Sequence, residues 1–435
     1  MSAPAPRRRS LWILSLLLFI GGVLVITLLR PSVLPEFERR VAALKAAGQP
    51  IVPSDLPSAT PLSAEQASQQ TALSEAIADL GRAIPIAAAP TPGAPIFRET
   101  AGRRQQIALL LQSEPAARSL RLSRTPTGGY GDQLDSMSQT ALLQRIEEFF
   151  LAASLDSIQR SQADEAVGSF TNAIRLRTLP AAGPGTILWP LDASSYMRPL
   201  SRLLESGALQ PTHLLQLQQA LQSFEAAPLV RDQLLADRVQ YIHDTRALPA
   251  CTLSTFSTRP GWRQMLASVP GWLSLRIRLH LGLLDQAGRM ALDEFDAQLA
   301  ELERIGTPGL LRDADRRHAR IRSSSKRVLD LYFGPQPLLR DAVLRPRTHL
   351  RLGILALASA RYRLDRAGSY PDNPANLVPR YLDTLPIDPF SGGAPVFERL
   401  NPGLAIGFDR NRLTGADSIP PTEPGGTSAR WPLPH

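Results

Sequence analysis

Cysteine and lysine are almost missing from this chain of 435 residues, and so are the short signatures that most enzymes carry. Cys251 is the one cysteine, which excludes an intrachain disulfide and the sets of thiolates that hold structural zinc or iron–sulfur clusters. Its neighbours Ala250, Thr252 and Leu253 suggest a small, partly buried hydrophobe. A nucleophilic thiol would need a base beside it in space. Only Lys45 and Lys326 are lysines, so no lysine stands in a phosphate-cradling loop, and Gly128-Gly129-Tyr130-Gly131 reads as a plain loop. The six histidines, His213, His243, His280, His318, His349 and His435, show neither His-Glu-x-x-His nor His-x-His spacing, which removes the usual helical zinc site. No Gly-x-Ser-x-Gly occurs.

Ser323-Ser324-Ser325-Lys326 does fit Ser-x-x-Lys, the spacing that brings a serine and a lysine together on a helix. The partner motifs Lys-Thr-Gly and Ser-Asp-Asn are lacking, so a solvated basic helix face is the expected reading. His243-Asp244 and the pair Asp315 and His318 could each orient an imidazole, although a satisfied structural histidine is the commoner outcome.

What is present begins with 43% hydrophobic residues, enough to build real cores over a length that suits about two or three domains. The formal charge is +9 and almost wholly arginine. That charge is dispersed, and salt screens it beyond about 8–10 Å, so it names no partner by itself. One stretch is dense. Residues 312–351 hold eleven basic residues against Asp313, Asp315, Asp330 and Asp341. Arg316, Arg317, Arg320, Lys326 and Arg327 are its candidate contacts to anionic headgroups or a polyanion. Nucleic acid is not an expected partner, because only Tyr332 and Phe333 are interleaved for base stacking.

At the N-terminus Arg7, Arg8 and Arg9 precede residues 11–29, a run of nineteen without charge. As a helix it would be long enough for the hydrocarbon layer of about 30 Å, and it ends in Thr27-Leu28-Leu29-Arg30 rather than at a small-residue cleavage site. The expectation is an uncleaved, single-pass signal anchor in a bacterial inner membrane, with the N-terminus cytoplasmic and the bulk outside.

The expected fold is mainly α: the N-terminal transmembrane helix, an irregular helical bundle or solenoid, and a small α+β module at the C-terminus. The boundaries drawn are 1–30 for the cytoplasmic stub and anchor, 31–133 for a juxtamembrane helix, Pro-rich linkers and short helices, 134–339 for the helical domain, 340–419 for the α+β module and 420–435 for a disordered tail. Ser63 and Gln66 form a capping-box pattern ahead of Ala72, Ala76, Leu80 and Ile84. Helices are expected over 36–47, 137–159, 163–177, 196–206, 213–226, 229–247, 262–284, 290–304, 313–333 and 340–366. Leu142, Ile146, Phe149, Phe150 and Ala153 fall on one stripe, as do Leu214, Leu217, Leu221 and Phe224. No fixed repeat period is present.

After residue 367 the composition changes. Gly368-Ser369-Tyr370-Pro371 ends the long helix, a turn follows over 376–381, Asp388-Pro389-Phe390-Ser391-Gly392-Gly393 suits an Asx-type turn with the ring packed inward, and short strands are expected over 396–399 and 404–408. This order of helix, tyrosine-proline turn, Asp-Pro-aromatic-Gly segment and Gly407-Phe408-Asp409 resembles the C-terminal head of the type II secretion major pseudopilins. The likeness covers roughly 80 residues. The helical part is similar to large membrane-anchored bacterial proteins that carry the same element. The resemblance implies a small sheet, an envelope setting and a calcium-binding loop, but no Gly-Phe-Thr-Leu-Ile-Glu type cleavage site occurs and some 310 residues separate the run at 11–29 from the head-like unit, so assembly into a pseudopilus is not expected. From the residues themselves, Asp409, Asn411 and Asp417 could converge on Ca²⁺, although Arg410 and Arg412 between them oppose it and the pattern is not an EF-hand. The expected function is a non-enzymatic, membrane-anchored scaffold or accessory of a cell-envelope or secretion assembly, with the lipid bilayer and envelope proteins as partners. The alternatives are an extracytoplasmic hydrolase whose residues come from distant helices, or a binder of polyanions or anionic lipid through the 312–351 face.

Overall fold

The computed structural model describes residues 34–56, 63–85, 91–112, 130–178, 194–247, 283–307, 309–323, 343–400, 403–408 and 431–433. Within these the helices are α1 (Pro35–Ala46), α2 (Ala64–Ala83), α3 (Ile96–Glu99), α4 (Ala101–Gln112), α5 (Tyr130–Gln159), α6 (Ala163–Arg177), α7 (Ser194–Glu205), α8 (Pro211–Ala226), α9 (Leu229–Ala247), α10 (Leu283–Glu303), α11 (Leu310–Ser323) and α12 (Arg345–Asp365). Three strands follow, β1 (Pro395–Leu400), β2 (Gly403–Phe408) and β3 (Trp431–Leu433). The described residues are thus mainly helical.

The expected transmembrane helix is corrected. Among the described residues no helix is long and apolar enough to cross a membrane. Crossing needs about 20 predominantly apolar residues. The long helices do not supply them: α5 carries Arg145, Glu147 and Glu148, and α12 carries Arg345, Arg347, Arg351, Arg361, Arg363 and Asp365. The run at 11–29 lies outside the described residues, as does most of the helix expected over 262–284.

The chain divides into two compact units, each assembled from separated stretches. One comprises Met1–Asp55, Arg238–Asp296 and Lys326–Gly334, the other Leu56–Asp237, Ala297–Ser325 and Pro335–His435.

In the first unit, α1 buries Phe37, Val41 and Leu44. Phe37 meets Tyr241 edge-on at 6.5 Å, and Tyr241 meets Phe295 at 6.1 Å. Gly288 makes room for the phenyl ring, since a Cβ there would stand 2.8 Å from it. Leu34 at the N-cap of α1 has no side chain able to cap it, and Pro35 lacks an N–H. The buried carboxylate of Asp285 takes over: Oδ1 accepts from Phe37 N–H at 2.8 Å and Oδ2 from Glu36 N–H at 3.1 Å. A negative charge at a helix N-terminus also suits the helix dipole. Behind it, Arg40 pairs with Asp293 and Asp296, while Arg238, wholly buried, donates to Asp296 Oδ1 at 2.7 Å and Gln49 Oε1 at 3.1 Å.

The second unit holds one large core. Helices α5 and α6 are joined by three residues and fold back on each other, burying Ile146, Phe149, Phe150 and Ala153 against Val167, Phe170 and Ile174. Helix α8 lies between α6 and α12, and its stripe of Leu214, Leu217, Leu221 and Phe224 is buried. Helix α2 opens with the expected capping box: Ser63 Oγ accepts from Gln66 N–H at 3.2 Å and Gln66 Oε1 from Ser63 N–H at 2.9 Å.

The sheet is antiparallel in the order β1-β2-β3, with Phe397 opposite Ile406 and Ile406 opposite Trp431. Leu404, Ile406 and Phe408 of β2 join the same core as α12, as do Leu377, Tyr381 and Leu382. Strand β3 falls in the segment expected to be a disordered tail. It has only three residues and holds Pro432, which is tolerated because β3 is the edge strand of the sheet among the described residues.

Candidate interaction surface

The described part of the basic stretch mixes exposed and engaged arginines. Arg316 and Arg320 are exposed on α11, but Arg317 forks onto the buried carboxylate of Glu301. Lys326 and Arg327 lie outside the described residues. On α12, Arg351 pairs with Glu225 and donates to Ile387 O at 2.6 Å, and burial pulls the Arg347 guanidinium down from its ordinary pKa. Asp409, Asn411 and Asp417, the calcium candidates, lie outside the described residues, as does Cys251. Among the described residues no group of three His, Cys, Asp or Glu side chains could hold a metal ion. The serine of the Ser-x-x-Lys pattern, Ser323, ends α11, and its lysine is not described.

His213 and His243 make local contacts. His213 Nδ1 accepts from Gln210 N–H at the start of α8, which leaves Nε2 to donate to Asp164 Oδ1 at 2.7 Å. His243 and Asp244 are 3.4 Å apart at the surface.

Deep in the second unit, Tyr196 donates to Glu147 Oε1 at 2.6 Å between Phe170 and Phe224, whose rings lie 5.9 and 5.6 Å away. Arg177 approaches the other carboxylate oxygen at 3.6 Å. Burial raises the Glu147 carboxyl above its ordinary 4.5, outweighing Arg177 and the Tyr196 bond, and it drives the Tyr196 hydroxyl well upward. A carboxyl raised in the folded state stabilises below its unfolded value and loses that contribution as pH rises through the folded value. Glu147→Gln should therefore flatten the fall in melting temperature as pH rises above about 4.5, with stability at neutral pH within about 1 kcal/mol of the parent, because the amide oxygen still accepts from Tyr196. Thermal melts across that range check it. An unchanged slope would show that Glu147 does not titrate there.

A different cluster stands at the surface, where α12 ends. Tyr381 carries two guanidinium groups over its ring, Arg361 at 5.6 Å and Arg380 at 5.5 Å. Tyr362 packs against Tyr381 at 5.6 Å between centroids and carries Arg366 at 5.7 Å. Arg363 lies over Tyr370 at 5.1 Å and donates to its hydroxyl at 3.2 Å. Each contact sets a cation over a ring, worth about 0.5–1 kcal/mol at an exposed site.

The local sequence explains the arrangement. Tyr362 and Arg366 are one helical turn apart, and Tyr370-Pro371 turns the chain back. Leu377 and Leu382, both buried, then pull Tyr381 onto the helix. Asp365 ties the group together, accepting from Tyr381 OH and from Arg380, each at 2.8 Å. Arg361 is anchored to Gln218 Oε1 at 3.0 Å. Arg366 remains exposed and makes no ion pair among the described residues. Desolvation, Asp365 and its hydrogen bond together raise the Tyr381 hydroxyl above its ordinary pKa, so it stays protonated and donates at neutral pH.

Sequence reasoning missed this cluster. Its usable signal was the recurrence of Arg and Tyr at 361–363, 366, 370 and 380–381, a density of rings that the 312–351 stretch lacks. The arrangement presents several cations over tyrosine rings, with the Tyr381 hydroxyl held by Asp365. Comparison with protein-family models, with curated proteins and with solved structures finds no match to this chain.

Proposed function

We propose that the protein is a helical scaffold or accessory component of a cell-envelope or secretion assembly, and that it meets its partner through the C-terminal α+β module, which we take to be pseudopilin-head-like. The observation that carries this is the double use of α12. Its middle buries Leu350, Ile354, Leu355, Leu357 and Ala358 in the core of the second unit, and its last turns carry the arginine–tyrosine cluster. Side chains on a helix locked into a core are displayed with little freedom to lose on binding, which favours recognition. The buried acids support the same reading, since they are engaged by their own fold: Glu147 by Tyr196, Asp156 by Gly93 N–H and Arg160, and Asp388 by Ser391.

Capture of the full chain through an affinity handle, from detergent-solubilised cells, tests this. Co-recovery of an envelope or secretion component in near-stoichiometric amount is expected. Recovery of none would overturn the reading, and turnover of a hydrolase substrate by the purified protein would replace it with an enzyme.

A further inference from the structure

We propose that the arginine–tyrosine cluster is a docking site for an extended acidic polypeptide segment of a partner, read through its side-chain carboxylates. The inference rests on the reading of the C-terminal module as the contact surface, and it names the chemistry of what is contacted. Four guanidinium groups, Arg361, Arg363, Arg366 and Arg380, are gathered over three tyrosine rings, and Asp365 pairs with one of them, Arg380. Cations near a helix C-terminus complement its dipole, but that effect asks for one or two charges in the last turn and no aromatic support. Here every guanidinium lies over a tyrosine ring. Arg361, Arg363 and Arg380 each spend an N–H within the fold, on Gln218, Tyr370 and Asp365, so the exposed Arg366 is the one that offers the fork that matches a planar carboxylate with two hydrogen bonds.

Three observations favour an acidic polypeptide over other anions. Tyr381 and Tyr362 already carry arginines over their rings, so they do not offer open faces for stacking nucleic-acid bases. Asp365 stands among the arginines, and a closely spaced polyanion such as a nucleic-acid backbone or an anionic bilayer would be pressed against it. A chain with spaced carboxylates can pass it. Leu364, 50% exposed beside Arg363, supplies an apolar contact of the size of one partner side chain and too small to anchor in a bilayer.

The test is fluorescence anisotropy of the full-length protein at physiological salt, with a labelled short peptide of glutamates spaced by glycine and serine as probe and with anionic phosphatidylglycerol vesicles and single-stranded DNA as competitors. The spaced-glutamate peptide is expected to bind, and Arg366→Gln should weaken it about fivefold, since charge-assisted bidentate bonds are the strong ones. Arg366→Lys should recover only part of that loss, because it restores the charge without the fork. Arg82→Gln, which removes an equal surface charge on α2, should change binding less than about twofold. Arg366 is exposed, so its variants are expected to fold, and matching melting temperatures check this. Equal losses from Arg82→Gln and Arg366→Gln, full recovery in Arg366→Lys, or displacement by vesicles or DNA at lower concentration than free peptide would each overturn the proposal. If the captured partner is retained by Arg366→Gln protein, the scaffold reading survives and the docking site does not.

Discussion

Gly392→Ala is expected to be the most damaging small substitution in the second unit, lowering its stability by more than about 3 kcal/mol. Gly392 has φ +68°, in the left-handed region where an L side chain costs about 1–2 kcal/mol. Strain is the smaller part. A Cβ at this position would stand 2.3 Å from the carbonyl oxygen of Gly306, a backbone atom that cannot swing away. Gly306 is itself fixed at φ +84° with its N–H donated to Pro389 O at 2.9 Å. The loop that would have to move is tightly tied. Gly392 N–H donates to Asp388 O and Asp388 N–H to Gly393 O, both at 2.8 Å, while Asp388, fully buried, accepts from Ser391 Oγ at 2.8 Å. Phe390 packs with Leu311 and Leu344, so displacing the loop would also open that cluster. Gly368→Ala provides the comparison, because Gly368 has φ +91° but nothing within 4 Å of its Cβ position, and should lose only the strain, about 1–2 kcal/mol. Urea unfolding of both variants separates the two terms. Equal losses would mean that the close approach to Gly306 contributes nothing.

In the first unit the largest effect is expected from Arg238→Ala, at about 2–5 kcal/mol, the range found when a large buried side chain is emptied to Ala. Arg238 is 0% exposed and is among the largest fully buried side chains described. Its removal leaves a cavity and takes the donor from Gln49 Oε1. Asp296 keeps Arg40, so the carboxylate is not orphaned. That predicts a milder Arg238→Met, losing about half as much, because it refills most of the volume. Denaturant melts decide. If Met were as harmful as Ala, the ion pair with Asp296 and not packing would carry the site.

These two sites and the cluster on α12 show what the sequence displayed and what it concealed. Helical period and local caps were legible because their partners lie within a turn or two: α6 and α9 begin and end where the apolar pattern placed them, and Ser63 and Gln66 cap each other three residues apart. The partners of individual charges were not legible where they are distant in sequence. Residues 312–351 were counted as a basic excess, yet Arg317 and Arg351 are matched by Glu301 and Glu225, which lie outside the counted window. Strand β3 escaped notice because three residues around a proline carry no alternation to detect. The arginine–tyrosine cluster was hidden for a related reason: Tyr362 and Tyr381 meet only after the chain turns back at Tyr370-Pro371. The hydropathy of residues 11–29 suggested a spanning helix, and the helices actually described are instead amphipathic elements that bury one side.

The cap that Asp285 places on α1 has a consequence for biosynthesis. Glu36 and Asp285 are 249 residues apart in the chain. At a synthesis rate of about 5–20 residues per second, α1 waits roughly 10–50 s before its capping carboxylate is made. For most of that interval Phe37, Val41 and Leu44 lack the Tyr241 side of their pocket, and throughout it they lack Phe295. The nascent chain therefore carries the uncovered apolar side of α1 for most of its time on the ribosome, and a holding chaperone that binds such segments would act on α1.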